Sequence, residues 1–105
     1  MKEPNLDYIN QIAGGDESFK QNITTILKKE FPIEMAAFYK SYQMKDFKET
    51  ANIIHKIKYK FSLLGLEDDL ELASYFECEV KSGKTELFPK FESILEKIDL
   101  FIKSL

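Results

Sequence analysis

Apolar residues recur every three or four positions along almost the whole chain, and this spacing is the strongest constraint on what the chain can fold into. An α-helix brings side chains at this spacing onto one face. No segment shows the strict alternation of apolar and polar residues that is typical of a half-buried β-strand. The nine phenylalanines and five tyrosines follow the helical spacing as well. The sequence therefore predicts an all-α fold.

Glycines and capping residues divide this pattern into helices. A short first helix, capped by Asn5, is expected to stop at Gly14-Gly15. Asp16 then caps a long second helix. Pro32 lies inside it, and because proline removes one backbone donor and crowds the preceding turn, a kink or a one-turn break is expected between residues 29 and 33.

Three further helices follow. Asp46 and Glu49 form a capping-box pattern that starts the third helix, and Gly65 is placed to end it in a left-handed conformation. The fourth helix is expected to stop at Ser82-Gly83, and Thr85 opens the fifth. Four long amphipathic helices joined by short loops predict an antiparallel up-down four-helix bundle, with the short N-terminal helix capping one end.

Length, cysteine content and charge narrow the class of protein. A chain of 105 residues with 44% hydrophobic residues is expected to form one domain, spanning residues 1–105, around a single core. There is no run of about 20 apolar residues and no signal-peptide pattern at the N-terminus, so neither a membrane span nor export is expected. The single cysteine fits a reducing cytoplasm. A net charge of −3 argues against nucleic-acid binding.

His55 is the only histidine of the chain and lies on the predicted third helix. With Ile54 at the centre of the apolar face, a rotation of about 100° per residue puts His55 at the edge of that face. One side of its ring is then expected to be held by packing and the other to meet solvent. Lys58, Tyr59 and Ser62 share its side of the helix. A neutral imidazole in such a position is a good nucleophile toward phosphorus or carbon.

The charges near His55 are unevenly distributed. Five lysines lie between Lys45 and Lys60, whereas residues 67–79 carry six acidic residues and no lysine. A phosphoryl group, or an acidic pocket on a partner, would find the His55 helix favourable. The alternative is that these lysines only solvate an amphipathic helix. One histidine and one cysteine cannot build a metal site, and no glycine-rich nucleotide loop is present, so a kinase or an ATPase is not expected.

The residues around His55 resemble the signature of the histidine-containing phosphotransfer (HPt) domains of multistep two-component signalling. The matching positions are His55, Ile57, Lys58, Leu64 and Gly65. Tyr59 stands where the family usually has glycine, a small residue thought to leave room for a partner. The order of predicted helices along the rest of the chain is also similar to that of the family.

The resemblance implies a cytoplasmic phosphocarrier, not an enzyme, with no nucleotide, cofactor or metal site of its own. His55 Nε2 would accept a phosphoryl group from an aspartate of a receiver domain and pass it to another receiver aspartate. Lys58 would screen the phosphate charge, and the Mg²⁺ ion would belong to the partner receiver domain. The expected partners are response-regulator receiver domains and a hybrid histidine kinase, and the chain itself is expected to be a monomer.

A receiver domain is expected to dock on the His55 helix and on the helix before it. The candidate contacts on the His55 helix are Lys56, Tyr59 and Ser62. Phe38, Tyr39 and Tyr42 of the preceding helix are further candidates, depending on which of them the core buries. Two other functions stay open. One is a non-catalytic helical-bundle interaction module that binds receiver domains or kinases without transfer, which Tyr59 favours. The other is a regulatory subunit whose helices bury apolar stripes in a homodimer. If both ring nitrogens of His55 were buried and satisfied by protein, the relay would lose its physical basis.

Overall fold

A computed structural model describes residues 2–105. Met1, the first residue of the N-terminal segment that shows no signal-peptide pattern, lies outside the described residues. Within this range the regular structure consists of five α-helices and no strands, so the predicted all-α class is confirmed there. The helices are α1 (Asp7–Ala13), α2 (Glu17–Gln43), α3 (Phe47–Leu63), α4 (Glu67–Lys81) and α5 (Phe88–Lys103).

Aspartates start the two longest helices. Asp16 Oδ1 accepts a hydrogen bond from the backbone N–H of Phe19 at 3.1 Å. Asp46 Oδ1 accepts one from the backbone N–H of Glu49 at 3.3 Å. Each bond satisfies an N–H group that has no partner inside the helix. The predicted N-caps of α2 and α3 are confirmed.

Two predicted helix starts differ from the structure. α1 begins at Asp7, two residues after Asn5, whose Oδ1 accepts from the Asp7 N–H at 3.0 Å. α5 begins at Phe88 rather than at Thr85, because a turn intervenes in which the Phe88 N–H donates to the Thr85 carbonyl at 3.1 Å. α2 continues through Pro32 as one helix, so of the predicted kink or one-turn break the break is absent. The fully buried Phe31 and Phe38 anchor α2 to the core on either side of the proline, which explains why the helix tolerates it.

Each long helix contributes a phenylalanine to a fully buried cluster of four at the centre of the core. These are Phe38, Phe61, Phe76 and Phe91. The ring of Phe91 lies 5.1 Å from that of Phe38, 5.2 Å from that of Phe76 and 5.9 Å from that of Phe61, measured between centroids. Such distances are typical of favourable aromatic pairs, and burying each side chain contributes about 1.5 to 3 kcal/mol.

Each of the four long helices packs against two of the others. α3 packs against α2 on one flank and against α4 on the other, and α5 also packs against both α2 and α4. α1 packs against α2 and buries Ile9 completely. Because α3 has a different neighbour on each flank, a side chain at either edge of its buried face meets a different helix.

Polar contacts join α2 to α3. The hydroxyl oxygens of Ser41 and Thr50 lie 2.8 Å apart. Lys60 Nζ lies 2.9 Å from Glu30 Oε1 and 3.0 Å from Glu34 Oε1. Burial would lower the pKa of Lys60, but the hydrogen bonds to both carboxylates more than offset it, and the pKa is raised. Lys60 is therefore charged and bound to α2, not to solvent.

Candidate functional site

His55 lies at the border between the buried face of α3 and solvent. Its neighbours Ile54 and Ile57 are fully buried, and they fix the rotation of the helix about its axis. The His55 side chain is 62% exposed. The ring is thus held on a rigid element while most of its surface remains open to a reactant.

One carboxylate on α4 binds both His55 and Lys58. Glu77 Oε2 lies 3.1 Å from His55 Nδ1, and Glu77 Oε1 lies 2.9 Å from Lys58 Nζ. Lys58 and Glu77 are both largely buried, whereas His55 is not. The three side chains form a short chain of hydrogen bonds that joins α3 to α4.

The ionisation of Glu77 determines the tautomer of His55. Burial would raise the pKa of Glu77, but the hydrogen bond and the charge of Lys58, together with His55, outweigh it and lower the pKa below its ordinary value. An ionised carboxylate can only accept hydrogen bonds, so Nδ1 of His55 must carry the proton. Nε2 of the neutral ring is then left with its lone pair, and it makes no hydrogen bond within residues 2–105.

The side chains predicted to share the His55 side of α3 are found together. A shallow cavity of about 230 Å³ is lined by His55, Lys58, Tyr59, Ser62 and Leu70. Leu70 comes from α4 and the other four residues come from α3. Tyr59 is 69% exposed, so its ring stands largely in solvent beside the histidine.

The aromatic residues of α2 do not join this cavity, and the prediction that Phe38 contacts a partner is wrong. Phe38 is fully buried, because a large aromatic side chain is more stable inside the core than at its surface. Tyr42 is half-buried and stacks on Phe88 of α5 with ring centroids 4.2 Å apart. Tyr39 donates to Glu92 of α5 at 2.9 Å, and burial together with this bond raises the pKa of Tyr39 to about 12.

Fewer lysines of α3 are free to contact a partner than their number in the sequence indicates. Lys60 is bound to carboxylates of α2, and Lys58 is bound to Glu77. Lys48 and Lys56 remain exposed, as does Lys45 in the loop before the helix. Lys56 follows His55 in sequence but lines the groove between α3 and α2, on the other flank of the helix. The positive surface of α3 is therefore smaller than expected and lies mainly away from the His55 cavity.

Sequence reasoning missed Glu77 as a site residue. It lies on a different helix from His55 and belongs to the acidic run of residues 67–79, in which nothing local distinguishes it. The only available signal was the opposition of this acidic run to the lysine-rich run on α3. That signal indicates attraction between the two helices but does not identify which carboxylate meets the histidine.

Comparisons of the chain with protein-family models, with curated proteins and with solved structures found no match. Among residues 2–105, no group of three or more His, Cys, Asp or Glu side chains is arranged to hold a metal ion. In the same range, no helix combines the length and the hydropathy of a membrane span.

Proposed function

We propose that this chain is a cytoplasmic phosphorelay carrier of the HPt type, built as an antiparallel up-down four-helix bundle. It accepts a phosphoryl group on His55 from a receiver-domain aspartate and passes it to another receiver aspartate. The observation that carries this proposal is the hydrogen bond of His55 Nδ1 to Glu77, which in the neutral form of a 62% exposed ring places the proton on Nδ1 and the lone pair on Nε2. Without that arrangement, a lone surface histidine would have no feature that favours phosphoryl transfer.

The transfer consists of one substitution at phosphorus. The lone pair of Nε2 attacks the phosphorus atom of the receiver's aspartyl phosphate, the N–P bond forms, and the P–O bond to the aspartate breaks. The released carboxylate keeps the bonding electrons. The phosphorylated ring retains its Nδ1 proton and carries a positive charge that Glu77 stabilises. In the reverse step, a carboxylate oxygen of the next receiver attacks phosphorus, and Nε2 takes back its lone pair.

Lys58 and Glu77 divide the remaining roles. Lys58 lies one turn beyond His55 on the same side of α3 and would screen the negative charge of the phosphate. Its bond to Glu77 at 2.9 Å keeps its amine beside the ring before the phosphate arrives. Catalysis of phosphoryl transfer depends largely on position and countercharge, so the carrier needs no nucleotide of its own, and the partner receiver domain supplies Mg²⁺.

The proposed receiver docks over the side of α3 that carries His55, Tyr59 and Ser62, toward α4. This assignment follows from the direction of the imidazole, which faces Glu77 on α4 rather than the groove with α2. Hybrid kinases and response regulators both contain the receiver domains that this surface would bind. A transient relay contact is expected to bury no more than the standard interface area of about 1,600 Å².

The test is phosphorylation by receiver domains. The protein is incubated with a panel of phosphorylated receivers, and an acid-labile, base-stable phosphate is sought on the chain. His55→Gln should abolish acceptance and change the free energy of unfolding by no more than about 0.5 kcal/mol, as for most surface substitutions. Lys90→Gln, an exposed change on α5, is the matched control and should leave acceptance intact. Labelling of the His55→Gln protein would refute the assignment of the acceptor.

A second candidate function is a binding module that recognises receivers or kinases without transfer. The observation that favours it is Tyr59, an aromatic side chain 69% exposed at a position where the family usually has glycine. In that case the wild-type protein would bind a receiver but never become phosphorylated. Tyr59→Ala would then weaken binding by about 1 kcal/mol or more, as expected for an aromatic side chain at the centre of an interface.

A further inference from the structure

The surface of α2 that borders α3 carries an exposed apolar seam. Ile26, Ile33 and Met44 are 50%, 64% and 68% exposed. Together with Glu30, Ala37 and Lys40 they follow one another at alternating spacings of four and three residues. This alternation is the pattern by which one helix packs along another in a coiled coil. Met44, at the C-cap, keeps helical backbone angles, so the seam extends over the end of α2.

A groove of about 450 Å³ runs beside this seam. Ile33, Ala37 and Met44 form its wall on α2, and Ile53 and Lys56 form part of its wall on α3. Exposed apolar side chains that follow one line beside a groove mark an interaction surface more often than scattered ones do. The seam would be covered by a helix that lies along α2.

The seam on α2 is complementary to the same seam on a second copy of the chain. When another α2 runs antiparallel, with the two-fold axis at the level of residue 35, positions equally far from that residue face each other. Ile26 then faces Met44, and Ile33 faces Ala37. The one acidic position, Glu30, faces the one basic position, Lys40. Each apolar residue of the seam thus faces an apolar residue of the second copy, and the polar layer, formed by Glu30 and Lys40, joins opposite charges.

We propose that this chain forms a two-fold symmetric dimer through antiparallel packing of α2 against α2 of a second copy. This departs from the monomer expected from the sequence. In such an isologous contact each pair occurs twice, so the Glu30–Lys40 layer contributes two intermolecular ion pairs. The small Ala37 side chain lies close to the two-fold axis and allows the two helices to approach each other.

The charges of the seam support this register over its neighbours. Glu30 Oε1 binds Lys60 of its own chain at 2.9 Å, but the Glu30 side chain is 51% exposed, which leaves it accessible to a second lysine. Lys40 is exposed and makes no ion pair within residues 2–105. A shift by one heptad toward the N-terminus would place Glu30 opposite Ile33 and Lys40 opposite Ile23. Such a register buries charges against apolar side chains and is disfavoured.

The dimer is expected to be in equilibrium with the monomer. The seam from Ile26 to Met44 is about 27 Å long, which is short for a permanent interface, and its polar layer fixes the register at some cost in stability. His55 faces α4, on the opposite flank of α3 from the groove, so the dimer leaves both histidines open. Dimerisation and phosphate acceptance are therefore expected to be independent.

Sedimentation equilibrium over a wide range of protein concentration tests the dimer. The wild-type protein should change from monomer to dimer as the concentration rises. Ile33→Glu should remain monomeric throughout, whereas Leu100→Glu, an equally exposed apolar residue on α5, should dimerise like the wild type. A wild-type protein that stays monomeric at every concentration would overturn the proposal, and so would equal dimerisation of Ile33→Glu.

Charge substitutions test the register. Lys40→Glu places two carboxylates opposite each other and should weaken the dimer at least tenfold, whereas Lys90→Glu, the same change on α5, should not. Glu30→Gln added to Lys40→Glu removes the repulsion and keeps an acceptor for Lys60, so it should recover most of the lost affinity. Equal effects of Lys40→Glu and Lys90→Glu would show that the ion pairs of this register do not form.

Disulfide formation tests the orientation. In a Cys78→Ser background, Ala36→Cys places two cysteines about 3 Å apart along the axis of an antiparallel pair, and it should form an intermolecular disulfide. Gln43→Cys would leave them about 24 Å apart, so it should not cross-link. Cross-linking of both variants would indicate parallel helices and overturn the antiparallel arrangement.

Discussion

At the scale of single residues, the site depends on a carboxylate that serves two partners at once. Glu77 holds the proton on His55 Nδ1 and also binds the amine of Lys58. A carboxylate beside the imidazole of a nucleophilic or basic histidine commonly selects the tautomer and stabilises the cation that forms. Glu77 would do both for a phosphoryl acceptor while positioning the countercharge.

Replacing Glu77 should therefore slow phosphate acceptance without abolishing it. Glu77→Ala releases both His55 and Lys58, and we expect the rate constant for acceptance to fall at least about tenfold, or about 1.4 kcal/mol in activation free energy. Stopped-flow or quenched transfer from a phosphorylated receiver measures this rate. Glu71→Ala, an exposed acidic residue on the same helix, is the control. An unchanged rate in Glu77→Ala would mean that the ring needs no partner on Nδ1.

Replacing Tyr59 with glycine should have a different effect for each of two roles, obstruction of His55 or contact with the partner. If its ring only obstructs access to His55, Tyr59→Gly should speed transfer to receivers in general, although glycine inside a helix costs about 1 kcal/mol relative to alanine. If Tyr59 is a dedicated contact, the same change should weaken binding of the true partner by about 1 kcal/mol or more. Tyr75→Gly, an exposed tyrosine on α4, controls for the cost of the glycine. Transfer rates and binding constants for both variants distinguish the two roles.

At the scale of elements, the Leu64-Gly65 pair ends α3 and ties it to the N-terminal segment. Leu64 is fully buried, and its carbonyl accepts from the Asn5 N–H at 3.0 Å. Gly65 has a φ of +75°, in the left-handed region that favours glycine. A Cβ atom at Gly65 would lie 2.9 Å from Asn5 Nδ2. This part of the His55 signature therefore has a structural explanation that does not involve phosphate.

Gly65→Ala should destabilise the protein more than Gly83→Ala does. Gly83 has a similar φ of +81°, but no atom lies within 4 Å of its added Cβ, so alanine there suffers only backbone strain of about 1 to 2 kcal/mol. At Gly65 the same strain is joined by displacement of Asn5, whose side chain accepts from the Asp7 N–H. Loss of such a hydrogen bond adds about 0.5 to 1.5 kcal/mol. Chemical denaturation of both variants measures the difference, and equal losses would contradict the role of Asn5.

At the scale of the whole molecule, charged contacts join neighbouring helices around the aromatic core. Glu77 links α4 to α3, and Lys60 links α3 to two carboxylates of α2. Lys97 of α5 binds Asp69 of α4 at 2.9 Å. These contacts cross between helices that also share the buried phenylalanines. Their state of ionisation should therefore affect the stability of the entire fold.

Acid should weaken the fold through Glu77. Its pKa in the folded state lies below the ordinary value of 4.5, so the stabilisation it contributes is present above that value and is lost as the pH falls through the folded pKa. We expect the free energy of unfolding of the wild type to fall as the pH drops below 4.5, and to fall less in Glu77→Gln. Thermal unfolding monitored by circular dichroism across this range tests the expectation. Parallel pH profiles for both proteins would contradict it.

The sequence alone determined those features that depend on residues close together in the chain. The helical period, the aspartate caps of α2 and α3 and the glycine that ends α3 are local properties of the backbone. The grouping of His55 with Lys58, Tyr59 and Ser62 also followed from helix geometry, because all four lie within about two turns of one helix. For the same reason the sequence placed His55 correctly at the edge of the buried face.

Only the tertiary structure decided which residues meet between helices. The pairing of His55 with Glu77, the burial of Phe38 and the binding of Lys60 to α2 all depend on how far one helix is shifted and rotated against its neighbour. Residue spacing within a helix does not specify that register, because many shifts keep the apolar faces together. Close packing of the large side chains in the core selects one of them. The position of the histidine was therefore predictable from the sequence, but the carboxylate that binds it was not.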